Sequence, residues 1–452
     1  MKGLTRLSGQ SLGLRVVRFV LGIGSAALLT RLMSLHDYGV YAYTLVIATL
    51  LAIPGEAGMP NLVMREIARA RVDGDMPRVR GIVRFANLTV LLLTLAMAAI
   101  AGLVLWLAQD RIPEVFRWTL AIVFPAILFG ALANTRAGIL RALGSPMLAQ
   151  IPEQIVRPAA IIVFALAAWA IVGGQIDPLM GIIGYVGASS CAFLLGTVLL
   201  TRSYRAAVGP GPVQSQTRAW LGALLPFSAI AGMQVALVQV SAFVLGLTAA
   251  PSEVATFRIA TLGSDFALFS TYAINSLISP QLATYLHQGD KVALQLLIAR
   301  VNRLNVAFAL AVTLGIALFG QLGLRLVFGP QYAAAFWPML IVSIGHLVGV
   351  SMGYAAAIAN MAGRERLTMI AAAGGFALNA TLSVILCQRF GALGAAAAAA
   401  ITAVTWRLGL SLYLKHALGI RAWAFSRDFS SLMLHLRNSP LGALIGRNQS
   451  DR

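Results

Sequence analysis

Arg258, Thr261, Asp265, Tyr272 and Asn275, with Ser276 and Ser279, recur through an otherwise apolar stretch, FRIATLGSDFALFSTYAINSLIS at 257–279. Counted from Arg258 they stand at i+3, i+7, i+14, i+17, i+18 and i+21. At about 100° per residue they share one wide face of a helix. The stretch is apolar enough to cross a bilayer, yet each charge at the bilayer centre costs roughly 3 kcal/mol or more. The stripe therefore has two readings. Either Arg258 and Asp265 pair with neighbouring helices in a packed bundle, or the stripe faces a central water-filled cavity that handles something polar.

Other residues of the same character lie upstream. Tyr38, Thr49 and Glu56 fall within about 20° of one another on a helical wheel. Glu56, in PGEAG, either pairs with an arginine or carries a proton, and a carboxyl able to switch between these states is a candidate ion-coupling site. Asp265 is a second candidate for that role. Arg136 and Arg157 sit in apolar segments, and Glu153 and Arg157 are spaced i, i+4, which allows mutual neutralisation. Arg15 and Arg18, one turn apart, either snorkel to head groups or line the inner mouth of a cavity; for Arg31 snorkelling is the expected role.

The elements that must position these residues follow from composition. Of 452 residues, 59% are hydrophobic and 11% charged, against roughly 25% charged in soluble domains. The expected fold class is an all-α membrane protein of about twelve transmembrane helices between residues 13 and 414, in two six-helix lobes. The net charge of +19 would suggest nucleic acid in a soluble protein. Here the basic residues concentrate in alternate connections, which places both termini on the cytoplasmic side of a cell membrane and makes the number of spans even. Arg15 and Arg18 interrupt the first apolar run, so it is not expected to be a cleaved signal. Cys191 and Cys387 lie inside expected spans, so no disulfide framework is indicated.

The polar, Gly/Pro-rich segment RSYRAAVGPGPVQSQTR divides the chain. The expected units are an N-terminal lobe 1–201, a linker 202–218, a C-terminal lobe 219–414 and a cytoplasmic tail 415–452. In that tail Phe425, Phe429, Leu432 and Leu436 mark one face of an interfacial helix. The lobes read as parallel repeats. Gly74-Asp75 recurs as Gly289-Asp290, and Leu143-Gly144 as Ala362-Gly363, at offsets of 215 and 219 residues. Asp290 to Arg303 is a further expected interfacial helix, with its leucines to the membrane.

No phosphate-binding GxxxxGK[ST] loop occurs, and His36, His287, His346, His416 and His435 are scattered without metal spacing. No enzyme activity, cofactor or metal is expected. The motifs TRLMSLHDYGVYAYTL at 30–45, REIARARVDGD at 65–75, LRLVFGPQYAAAFWPML at 324–340, ANMAGRERL at 359–367 and RFGALGAAAA at 389–398 resemble those of Wzx-type polysaccharide flippases. That family belongs to the superfamily that also holds the multidrug and toxin extruders. The resemblance implies a two-lobed transporter in a bacterial inner membrane. It would move an undecaprenyl-diphosphate-linked oligosaccharide, an O-antigen or exopolysaccharide unit, from the inner to the outer leaflet by alternating access. It also implies a cationic central cavity, for which Arg15, Arg18, Arg136, Arg157 and Arg258 are chosen by charge and depth. Tyr38, Thr49, Thr261, Tyr272 and Asn275 would be its polar lining. H⁺ or Na⁺ is a possible coupling ion, and glycan polymerases or glycosyltransferases are possible neighbours; nucleic acid is not an expected partner. Two alternatives stay open: a cation-coupled multidrug exporter, and a membrane glycan polymerase or ligase.

Overall fold

The computed structural model describes residues 2–419 and Trp423, without the side chains of residues 2–12 and of scattered positions from 272 to 418, Tyr272 and Asn275 among them. The tail helix expected around Phe425–Leu436 lies outside the described residues. Fourteen α-helices are present among them: α1 (Lys2–Leu32), α2 (Leu35–Glu56), α3 (Met59–Val72), α4 (Met76–Leu107), α5 (Glu114–Ala142), α6 (Arg157–Val172), α7 (Pro178–Ala207), α8 (Thr217–Thr248), α9 (Pro251–Ser264), α10 (Phe269–Gln288), α11 (Lys291–Val327), α12 (Phe336–Ser351), α13 (Ala355–Met361) and α14 (Glu365–Leu418). Three single turns join them: a π-turn at Pro152–Val156, and 3₁₀ turns at Asp265–Leu268 and Pro330–Ala335.

Ten helical stretches are long and apolar enough to cross a membrane. One of these, in α14, is broken at Gly391 (φ 54, ψ −129) and supplies two limbs. With α9–α10, whose halves meet at the 3₁₀ turn, the count reaches the expected twelve. Glu253 tends the break in α14: its carboxylate accepts the Ala392 amide at 2.7 Å, a partner for an amide released by the kink.

The two halves repeat in local detail. α3 ends on Gly74 (φ 70) and α10 on Gly289 (φ 69), each in the left-handed conformation that glycine adopts without strain. The next residue is an aspartate in both, and its side chain accepts a backbone N–H three positions on, Arg78 in one half and Ala293 in the other. The expected interfacial helix at 290–303 is corrected here. It is the first part of the unbroken α11, with Leu294 and Ile298 buried against Ile278, Leu282 and Ile358. Its apolar face finds protein rather than lipid.

The apolar core explains how the halves meet. At the end of the molecule remote from the 208–216 linker, one continuous core joins Leu29, Tyr38 and Val46 of the first half to Val254, Ile259 and Met339 of the second. Toward the linker end it divides. One cluster gathers Leu62, Ile67, Ile82 and Ile139 around Trp220; the other gathers Ile278, Leu282, Leu294 and Leu414. The remote seal is intimate. A Cβ on Gly39 would come within 1.9 Å of the Pro251 carbonyl oxygen, and one on Gly246 within 2.1 Å of the Tyr43 ring. Tyr43 donates to Phe243 O at 3.5 Å. Arg31 is exposed and has protein partners. It donates to Leu326 O and Val327 O, the last carbonyls of α11, while Gln331 donates back to Thr30 O at 3.2 Å. Each half thus caps the other's helix C-terminus.

At the linker end the first half is held by charge. Glu66, its side chain 4% exposed, meets Arg78 at 2.6 Å, Arg65 at 3.0 Å and Arg69 at 3.6 Å. Of its partners only Arg78, its side chain 20% exposed, is held largely from water, so removing the buried carboxylate costs about 1–3 kcal/mol. Glu66→Gln should therefore lower the thermal midpoint of the detergent-solubilised protein by several degrees. A leucine at Gly39 must push two backbones apart, and Gly39→Leu should both destabilise the protein and expose the remote seal. The readout is faster labelling of a cysteine introduced at Tyr43 by a membrane-impermeant maleimide in a Cys191→Ser/Cys387→Ser background.

Candidate functional site

The site is built on α2. Ser34 caps this helix by accepting the Asp37 amide, and the first turns of α2 carry Tyr38 and Tyr41, both buried, with ring centroids 5.9 Å apart. Tyr332, from the turn after α11, meets Tyr38 edge-to-face at 6.0 Å. An aromatic cluster contributed by both halves results.

Two arginines flank it. Arg157 begins α6, directly after the π-turn, and such bulges alter helix phase by one residue. Its guanidinium meets Glu153 at 2.8 Å and the Tyr185 hydroxyl at 3.5 Å, and stands 5.7 Å over the Tyr185 ring. It also lies in electrostatic range of Tyr41 and Glu56. With 28% of its side chain accessible, it retains a free face for a further partner. Arg258 comes from the other half, on α9. It is exposed, and its charge reaches Tyr38 and Tyr41. Tyr41 therefore lies within electrostatic range of two guanidinium groups, one from each half. Among the described residues no carboxylate pairs with Arg258.

The acids are placed as follows. Glu56 accepts from the Asn134 amide at 2.7 Å, so α2 and α5 share a hydrogen bond, and Arg157 and Glu153 stand within electrostatic range. Asp265 is 59% exposed and two turns along α9 from Arg258, with His346 Nε2 3.5 Å from its Oδ1. Thr261 is partly buried and bonds Arg258 O; Thr49 is exposed and bonds Leu45 O. The stripe read over 257–279 is not carried by one uniform helix: a 3₁₀ turn at Asp265–Leu268, which advances about 120° per residue instead of 100°, separates α9 from α10. Tyr272 and Asn275 lie beyond that turn, among the side chains outside the described residues.

Three of the expected arginines stand apart. Arg136 is turned to α7, where it donates to Thr197 Oγ1 at 2.5 Å and lies 3.9 Å over the Phe193 ring. This is the face of α5 opposite Asn134, since two residues span about 200°. Arg15 is partly buried and Arg18 exposed on α1, beside Phe19, whose ring stacks on Phe266 at 4.9 Å. Among the described residues neither pairs with an acid. Sequence reasoning missed Tyr41, Tyr185, Tyr332 and His346. Tyr41 follows Tyr38 by three residues, a spacing that already puts both on one face; the other three are brought in by tertiary packing alone. Among the described residues no cluster of three or more metal-ligating side chains occurs.

The fold has known counterparts. It matches an inward-facing multidrug resistance transporter of the MATE family, MOP superfamily, with a TM-score of 0.72 at 14% identity over 89% of this chain and 94% of that one. It matches the lipid II flippase MurJ in an inward closed conformation, with a TM-score of 0.70 at 14% identity over 89% and 86%. A MOP superfamily transporter from Pyrococcus furiosus, described as having a binding pocket of reversed polarity, gives 0.60 at 14% identity over 92% and 96%. At these identities the likeness establishes the fold, that of MOP superfamily transporters. No curated protein matches the sequence. The family model described as "Polysaccharide biosynthesis protein" matches residues 10–264. That match spans more than half of the chain and includes α2, Arg157 and Arg258, and by it the protein belongs to the polysaccharide biosynthesis protein family.

Proposed function

We propose that this membrane protein is a flippase for an undecaprenyl-diphosphate-linked oligosaccharide, carrying it from the inner to the outer leaflet of a bacterial cytoplasmic membrane. The observation that carries the reading is the pair Arg157 and Arg258, one from each half, both within electrostatic range of Tyr41. A diphosphate buried in hydrocarbon is prohibitive without cationic partners. Guanidinium forks supply permanently charged, bidentate donors suited to its oxygens. Tyr38, Tyr41 and Tyr185 add flat, amphipathic faces against which a sugar ring can pack. Arg15 and Arg18 on α1 fit a role nearer the mouth, and Arg136 a supporting role behind α5.

The basic residues of the linker end support a cytoplasmic placement of that end. The units are then lobes 1–201 and 219–414, a linker 202–218 and a tail 415–452. The remote seal faces outward, and the divided core at the linker end is where cargo would load. An inside-negative potential contributes about 2.3 kcal/mol per charge per 100 mV, so outward movement of a dianionic headgroup is favoured without nucleotide. A proton or sodium ion entering on Glu56 or Asp265 adds to that drive. Membership of a polysaccharide biosynthesis family, together with a fold shared with a lipid II flippase, supports the class of cargo. The O-antigen or exopolysaccharide unit would come from glycosyltransferases and pass to a polymerase.

The likeness to a multidrug transporter favours a second reading, cation-coupled drug export. The two readings separate cleanly by charge. In nanodiscs holding the full-length protein, Arg157→Gln and Arg258→Gln should each weaken binding of undecaprenyl diphosphate at least tenfold, the value of one charge-assisted hydrogen bond. In a host lacking its own flippase, the double substitution should abolish surface glycan. Wild-type affinity in both single variants, together with efflux of a cationic dye by the unmodified protein, would replace the flippase reading by the drug-export one.

A further inference from the structure

His346, on α12, has a side chain 14% exposed, and neither ring nitrogen makes a hydrogen bond. Its Nε2 stands 3.5 Å from Asp265 Oδ1, an ion-pair distance without hydrogen-bond geometry. Asp265 opens the 3₁₀ turn that breaks α9 from α10 and is 59% exposed. Directly before it, Ser264 Oγ donates to Met339 O at 2.8 Å and fastens α9 to α12. One helix junction thus has a fixed pin and, at the next residue, a contact left slack.

A neutral imidazole with both nitrogens dry and unbonded carries an unrecovered desolvation penalty. A proton on that ring converts the 3.5 Å contact into a charge-assisted hydrogen bond, which prefers about 2.7–2.9 Å. The exposed carboxylate supplies the route: a proton from water passes by way of Asp265 to the enclosed ring and leaves the same way. A sodium ion would need several oxygen ligands, and this pair offers a carboxylate and a nitrogen. The charged and titratable groups around it are few. α14 brings Arg407, packed against Gly349 about one turn from His346, and α9 brings Arg258 two turns before Asp265. α1 brings Arg15 and Arg18, near the Phe19–Phe266 stack. α2 presents Tyr38 and Tyr41, and the segment after α12 brings Tyr354. α10 and α11 contribute the neutral Thr271 and Asn305, which with Gly349, Tyr354 and Arg407 line a cavity of about 40 Å³, large enough for water, that neither Asp265 nor His346 itself lines.

We propose that Asp265 and His346 form the proton-binding site of the transporter, and that its occupancy sets the angle at which α9 leaves the 3₁₀ turn. Arg258 lies on the segment whose angle is set, so the proton and the anionic cargo act on one element. The coupling part of this inference rests on the flippase reading; the site itself does not.

The test is nitrogen-15 NMR of histidine-labelled full-length protein in lipid nanodiscs, with the His346 signal identified by its loss in His346→Gln. Acidification should change the His346 ring signal from that of a neutral to that of a protonated imidazole. Asp265→Asn, which removes the anion beside the ring, should weaken proton binding there about tenfold. If Asp265→Asn does not fold, Asp265→Glu should keep the titration. A ring that does not titrate, or a midpoint indifferent to Asp265, overturns the site. For coupling, binding of undecaprenyl diphosphate should change about threefold or more between pH 6 and 8. In His346→Gln that pH dependence should vanish, with the affinity at pH 8 within about twofold of the parent protein. Binding that is equally pH-dependent in His346→Gln overturns the coupling. Absence of binding in the unmodified protein at every pH overturns the flippase reading and leaves the titration standing.

Discussion

A guanidinium group in hydrocarbon must find an anion, a carbonyl, an aromatic face or water, and much of this molecule is arranged around that requirement. Arg78 and Arg65 have Glu66. Arg136 has Thr197 and the Phe193 ring. Arg31 has the last carbonyls of α11. Arg157 has Glu153 on one side and open space on another. Arg258 differs from these: it is accessible, deep in the sequence of an apolar helix, and among the described residues has no acid beside it. A folded chain that keeps such a charge keeps a standing demand for an anion. The proposed function is an answer to that demand.

The same constraint decides what could be read from the sequence. Helix number and class were legible because hydrocarbon thickness fixes how many apolar residues a crossing needs. The halves were legible because Gly74-Asp75 and Gly289-Asp290 do local work, a left-handed stop followed by a cap, that four or five residues determine by themselves. The resemblance to polysaccharide flippases was legible in motifs that lie at helix ends and turns, and the family match agrees with it.

The direction in which a side chain points was less legible. Arg136 and Asn134 sit two residues apart and point oppositely, and only packing decides which of them shares a face with Glu56. The wet stripe on 257–279 assumed one uniform helix, and no proline marks the 3₁₀ turn at Asp265 that interrupts it. Amphipathicity at 290–303 was real but its target was misread. An apolar face looks alike whether it meets lipid or the buried side chains of α10 and α13. His346 was passed over for want of metal spacing, since Asp265, its ion-pair partner among the described residues, lies 81 positions away in sequence.

At the remote seal, Gly39 rests on a carbonyl of Pro251 and Gly246 rests on the flat of the Tyr43 ring. Neither contact interlocks. Parting there requires water to replace the few bonds that cross the seal, those of Arg31, Gln331 and Tyr43, rather than the withdrawal of a side chain from either glycine contact. Such a joint can be dry and tight when shut and still swing apart on the timescale of collective domain motion.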